Sequence, residues 1–296
     1  MPEKTKKFIE TPEFKEYIYS EEFRSYIQKE SKRIYDELCW NYSLYLGSEK
    51  KLEDLIDFNG EVIIDYEEAE TPGHGGRKKK DNKIHIYPRS YALAGMNINN
   101  IEDLKKIFIE DIIIHEMFHF FAQPDMYYDG SNLDLFGKGL TEGIVQYFTD
   151  EYIESHKLPP SLTGYKEEVL LVKKIIEDLE RQNKTRGEII GILFNCNQDE
   201  IIEKCTNGEF IRREYIAKKH LHDEITKRFK KMENFDNDKG LQEICRKCLL
   251  ETNVEKLFFI LVEKFGYIDE IGEIYNNYLF NMGYIDDISI TSRKIK

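Results

Sequence analysis

Tryptophan is nearly missing from this chain of 296 residues, which holds one, and proline and glycine are sparse at 7 and 18. So few breakers leave little material for a fold of many short strands and tight turns, and a helix-rich fold is expected. Long apolar runs are missing too. No stretch approaches the roughly 18 to 20 residues of a membrane span, so no membrane partner is expected. Residues 1–7, Met-Pro-Glu-Lys-Thr-Lys-Lys, are followed by no apolar run of the kind a secretory signal carries. There are five cysteines, Cys39, Cys196, Cys205, Cys245 and Cys248. An odd count at scattered spacing builds no disulfide framework, and a reducing, cytoplasmic setting is expected. Positive charge is in deficit, with 43 Lys and Arg against 56 Asp and Glu and a net charge of −13. Such a surface repels phosphate backbones and anionic lipids, so nucleic acid is not an expected partner.

Hydrophobic residues make up 41% of the chain, enough to bury a real core. Residues 8–46 carry a helical pattern, opened by Thr11-Pro12-Glu13 as a hydroxyl cap with proline at the first helical position. Two short β-branched segments follow, Glu61 to Tyr66 and Lys83 to Tyr87. Between them, residues 71–82 read Thr-Pro-Gly-His-Gly-Gly-Arg-Lys-Lys-Lys-Asp-Asn, a basic loop expected to close a hairpin. Its Arg77 to Lys80 run reads as a solvated loop tip, since its glycines match no phosphate-loop motif. Asn100 is expected to cap a helix reaching Phe121. A further helix is expected from Leu140 to Ser155, and the pattern is nearly all helical from Tyr165 onward. Breaks fall near Asn195, at Asn207-Gly208, and from Asn234 to Gly240.

The chemistry lies in residues 112–121, Ile-Ile-Ile-His-Glu-Met-Phe-His-Phe-Phe. His115, Glu116 and His119 spell H-E-x-x-H, and a chain of this composition yields about 0.02 such matches by chance. Residues four apart on a helix lie about 40° apart around its axis. His115 and His119 therefore project from one face, where two imidazoles can share a tetrahedral metal ion. Glu116 sits at the edge of that face, within reach of a water on the metal but outside the ligand set. Two histidines and an acid on so apolar a helix need a reason to be buried there. Catalytic zinc usually takes three protein ligands plus water. The metzincin spacing would require Gly at 122 and His at 125, and this chain has Ala122 and Asp125. Glu142, on the next expected helix, is the third candidate, with Asp125 and Asp134 as fallbacks.

H-E-x-x-H, followed after about twenty residues by Glu142-Gly143 and Tyr147 in an E-G-x-x-x-Y pattern, resembles the gluzincin branch of zinc peptidases. Thermolysin-like enzymes and zinc aminopeptidases share that plan. The resemblance spans residues 83 to 155. It implies one Zn2+ held by His115, His119 and Glu142, with Glu116 as general base. It also implies an α+β zincin fold, in which a small antiparallel sheet and the active-site helix stand above a mostly helical lower half. The corresponding division is 1–50 as an N-terminal helical segment, 51–125 as the upper subdomain, and 126–296 as the lower. Lys83 to Tyr87 would be the edge strand that aligns a peptide substrate.

Two departures are visible. Gluzincins often carry Asp four residues after the ligand Glu, and this chain has Gln146, which supplies an acceptor but no charge. The aminopeptidase motif G-x-M-E-N is absent, and Gly95-Met96-Asn97 lacks its Glu. Endopeptidase or oligopeptidase action on a peptide or protein is therefore expected. Tyr165 is the first candidate to stabilise the oxyanion, with His156 and His220 competing. Cys245-Arg-Lys-Cys248 is half a zinc knuckle with no second half, and reads as two ordinary helix cysteines. His220-Leu-His222 diverges on a helix and reads as surface. Two other classes stay open: a zinc-fold protein that binds a peptide or partner without catalysis, and a metal-dependent hydrolase of a non-peptide bond. Oligomeric state is not legible.

Overall fold

Thr11 does cap the first helix, its hydroxyl accepting the Phe14 N–H at 3.2 Å. Pro12 then opens helix α1, Pro12–Tyr19. Ser20 caps helix α2, Glu21–Tyr42, in the same way, through Phe23 N–H at 3.1 Å. The computed structural model describes residues 11–46, 61–65, 76–78, 83–88, 100–107, 112–121, 135–158, 165–232, 235–251, 253–265 and 269–284. They form two compact units, Met1–Lys204 and Cys205–Lys296. That division falls inside the 126–296 segment expected as one lower subdomain.

Helices dominate the described residues, and the expected α+β zincin with an antiparallel sheet is not what forms. The sheet is small and mixed, with three strands: β1, Val62–Ile64; β2, Gly76–Lys78; and β3, Ile84–Ile86. Their spatial order is β1-β3-β2. β1 pairs with β3 in parallel, Ile63 opposite His85, and β2 pairs with β3 antiparallel, Arg77 opposite His85. The first and third strands are thus no hairpin. The basic segment between them contributes a strand of its own, which takes the antiparallel place. β3 is consequently the central strand, hydrogen-bonded on both sides. The expectation that Lys83 to Tyr87 is an edge available to a peptide is overturned for the same reason.

Asn100 caps helix α3, Ile101–Lys106, its side chain accepting the Asp103 N–H at 2.8 Å. Helix α4, Ile114–Phe121, carries the histidines, and Ile112 and Ile113 just before it wind in the wider π-helical turn. Such turns are frequent near functional sites. Helices α5, Leu135–Ser155, and α6, Lys166–Arg181, follow, then α7, Arg186–Asn195, and α8, Gln198–Lys204. All eight residues of α4 are buried. One side of it enters an aromatic cluster in which the Tyr42 ring meets Phe118, Phe121, Phe148 and Phe194 edge-on, at centroid distances of 5.6, 6.3, 5.7 and 5.8 Å. Edge-to-face pairs of this kind add about 0.5–1.5 kcal/mol each beyond the area they bury.

The second unit comprises α9, Gly208–Lys230; α10, Lys239–Leu250; α11, Val254–Phe265; and α12, Asp269–Asn281. Its core joins Leu221, Ile225 and Phe229 to Cys245, Cys248, Leu257 and Ile274. Both cysteines are unbonded core residues, as the helix-cysteine reading has it, and burial pushes the Cys248 thiol up to about 11. Among the described residues, no helix is long and apolar enough to cross a membrane.

Candidate metal centre

α4 and α5 pack side by side and bring three donors together. The ligand atoms of His115, His119 and Glu142 all lie within 4.8 Å of one another. Glu142 Oε2 is 3.3 Å from His115 Nε2 and 3.8 Å from His119 Nε2. Zinc holds its donors at about 2.0–2.1 Å, which makes the edge of its tetrahedron roughly 3.3 Å. The two carboxylate-to-imidazole separations lie near that edge, and the donor set of two imidazole nitrogens and a carboxylate oxygen is of the type zinc takes. The two imidazoles stand nearly at right angles, 79° apart with centroids at 5.0 Å. Asp125 and Asp134, the fallback ligands, lie outside the described residues, as does Gly95-Met96-Asn97.

The orientation of His115 is set by its other nitrogen. Nδ1 lies 3.0 Å from Gln146 Oε1, and Gln146 Nε2 donates to Asp150 Oδ1 at 2.7 Å. An ionised carboxylate only accepts, so the Gln146 amide nitrogen faces Asp150 and its oxygen faces His115. That oxygen also only accepts, so His115 Nδ1 carries a proton, and Nε2 is the nitrogen turned toward Glu142. Sequence reasoning stopped at Gln146. Asp150 was the signal it missed: Glu142, Gln146 and Asp150 recur every four residues and so form one stripe along α5.

Charge is consistent with a cation site. Burial alone would raise Glu142, but the hydrogen bond from His115 and the charges of His119 and His115 outweigh it and hold the carboxyl down at about 2. Burial lowers His115, while its hydrogen bond to Glu142 and the charges of Glu142 and Glu116 raise it above its ordinary value on balance. Glu116 is buried, at 5% exposure, and its charge bears on both His115 and Tyr165. It lies in the first turn of α4, where the helix dipole favours an acid.

The chain matches no family model, no curated protein and no solved structure. The gluzincin resemblance therefore rests on the short motif and its spacing.

Tyr165 immediately precedes α6 and reaches the site. Its ring stacks on His115 at 5.4 Å and 8°, and its hydroxyl is near enough to Glu142 to help hold that carboxyl down. Burial, with the nearby charges of Glu142 and Glu116, pushes this phenol far up, so it stays a neutral donor. Gly143 makes the approach possible. A Cβ on that residue would lie 2.3 Å from the Glu168 carbonyl oxygen and 3.0 Å from Val172 Cγ2, so α5 and α6 meet backbone to backbone beside Glu142. The competing histidines are not members of this cluster. His156 follows the last residue of α5, roughly 21 Å along the axis from Glu142, and pairs with Glu37 at 2.7 Å. His220 is exposed, on α9 in the second unit.

Proposed function

We propose that the chain is a zinc-dependent hydrolase of peptide bonds, acting as an endopeptidase or oligopeptidase. The carrying observation is the convergence of His115 Nε2, His119 Nε2 and Glu142 Oε2 with a second, non-ligand acid, Glu116, buried beside them. A site that only stores or senses a metal has no use for that acid. The similarity to gluzincins is one of ligand plan, not of fold.

His115, His119 and Glu142 would hold the ion. Bound zinc would supply a Lewis acid that polarises the scissile carbonyl and makes a water acidic near neutral pH. Glu116 takes the proton of the attacking water and delivers it to the departing amine nitrogen. Tyr165, kept protonated by its surroundings, donates its hydroxyl to the oxyanion that develops on the carbonyl oxygen. Gln146 keeps His115 in the tautomer that leaves Nε2 deprotonated.

The test is metal analysis of the full chain, followed by mass spectrometry of a peptide library digested by wild type and by Glu116→Gln. One zinc per chain in both, with cleavage by the wild type alone, is expected. Equal cleavage by both would remove Glu116 from the mechanism. Zinc in both with no cleavage by either would favour the binding-protein reading.

A further inference from the structure

We infer that Gln146 and Asp150 form a positioning relay for His115, in which a carboxylate two helical turns beyond Glu142 fixes a metal ligand through a neutral amide. The inference rests on the zinc reading above for its consequence, though not for its geometry. Glu142, Gln146 and Asp150 lie at intervals of four along α5 and so share one face of it, with Gln146 buried and Asp150 exposed at the outer end. Both links have the lengths of good hydrogen bonds, 3.0 Å from His115 Nδ1 to Gln146 Oε1 and 2.7 Å from Gln146 Nε2 to Asp150 Oδ1. Gln146 is almost fully buried, at 2% exposure, so water does not compete for its amide.

Gln146 alone does not specify direction, because an amide presents a donor at one end and an acceptor at the other. Turned over, its NH2 would face His115 Nδ1 and would select the tautomer protonated at Nε2, which cannot bind a metal through that atom. Asp150 removes the ambiguity, since its carboxylate accepts and never donates while ionised. The order of donors then runs one way, from imidazole to amide to carboxylate. The charge that a directly bonded acid would bring to the imidazole is here supplied one turn further off.

The relay predicts a specific failure and a specific rescue. In Asp150→Asn either end of the new amide can face Gln146, so the direction is lost. Zinc affinity should fall by about 10- to 100-fold, the usual cost of losing an outer partner of a metal ligand. The double variant Gln146→Glu with Asp150→Asn moves the charge next to His115 and keeps every hydrogen bond, and should recover that affinity. Two measurements on the full chain decide it. Zinc affinity is measured by competition with a chromophoric chelator. Protonation of His115 Nδ1 is read in zinc-free protein from its imidazole 15N shifts. Wild type should show Nδ1 protonated and bonded to Gln146, and Asp150→Asn a mixture in which part of the molecules carry the proton only on Nε2, toward Glu142. A single tautomer and unchanged zinc affinity in Asp150→Asn would overturn the relay, as would a double variant that binds no better than Asp150→Asn. A wild type of mixed tautomer that binds zinc tightly would overturn the relay and spare the zinc reading. A fixed tautomer without zinc affinity would do the reverse.

Discussion

Adding one methyl group at Gly143 tests how the site is assembled. A Cβ there would sit 2.3 Å from the Glu168 carbonyl oxygen and 2.7 Å from its carbon. These are backbone atoms, so no side-chain rotation relieves the clash. Ordinary contact begins near 3.5 Å, so α6 must move away from α5 by roughly 1 Å. Overpacking costs about 1–3 kcal/mol, and a clash with backbone, which cannot turn aside, belongs at the upper end, about 2–3 kcal/mol. Alanine returns about 1 kcal/mol of helix propensity relative to glycine. The net expected loss for Gly143→Ala is about 1–2 kcal/mol, a fall in Tm of roughly 2–8 °C for a unit of this size. The displacement also reaches the chemistry. Tyr165 lies three residues before Glu168 and rides on the same helix start, so its ring lifts from His115 and its hydroxyl from Glu142. Thermal unfolding of the zinc-free variant, followed by its peptide hydrolysis rate with zinc, measures both effects. A variant as stable as wild type, or more so, would show that helix propensity wins and that the close packing of α5 on α6 is not as described.

Tyr165→Phe keeps the ring stacked on His115 and removes only the hydroxyl. It should retain zinc within a few-fold and lose about 10²–10³ in kcat with KM little changed; a kcat equal to wild type would remove the phenol from catalysis. The pH response follows from the depressed Glu142 and the raised His115. Glu142 contributes stability that is present above its ordinary value of 4.5 and lost as pH falls toward about 2. His115 contributes stability that is present below its ordinary value of 6.5 and lost as pH rises through its elevated folded value. Zinc-free protein should therefore draw most from this pair between pH 4.5 and 6.5. Zinc should do the opposite, because it competes with the imidazole proton. The gain in Tm on adding zinc should grow from about pH 6 to about pH 8, and a gain that shrinks over that range would refute the assignment.

The parts of the site that were legible are those written in local periodicity. His115 and His119 share a face because a helix has 3.6 residues per turn, and no tertiary information is needed to say so. Glu142 was readable because the next helical segment begins near it and short connections favour packed neighbours. Asp150 was equally exposed to this logic, since it continues the stripe begun by Glu142 and Gln146. It was passed over because the comparison with gluzincins ended at the residue four after the ligand. The sheet was misread for a different reason. Val62–Ile64 and Ile84–Ile86 are β-branched whichever way they run, and nothing in three residues encodes parallel or antiparallel pairing. The intervening strand Gly76–Lys78 has no β-forming residue and looked like a loop, yet it pairs with β3. Its presence makes β3 central and removes the expected substrate edge. The break at Asn207-Gly208 was visible, but a helix break and a unit boundary look alike in sequence, and only packing separates Lys204 from Cys205.

The complete burial of α4 has a bearing on how an ion is taken up. Side chains already locked in the core have little rotamer freedom left to surrender, so capture costs His115 and His119 little entropy. Affinity is then governed by stripping water from the ion and protons from the rings. In small zinc-nucleated domains the metal is the scaffold, and a chelator unfolds them. In this chain the aromatic cluster beside the histidines packs through ring contacts that involve no ion, so a chelator should leave the architecture standing even if, as proposed, zinc carries the chemistry.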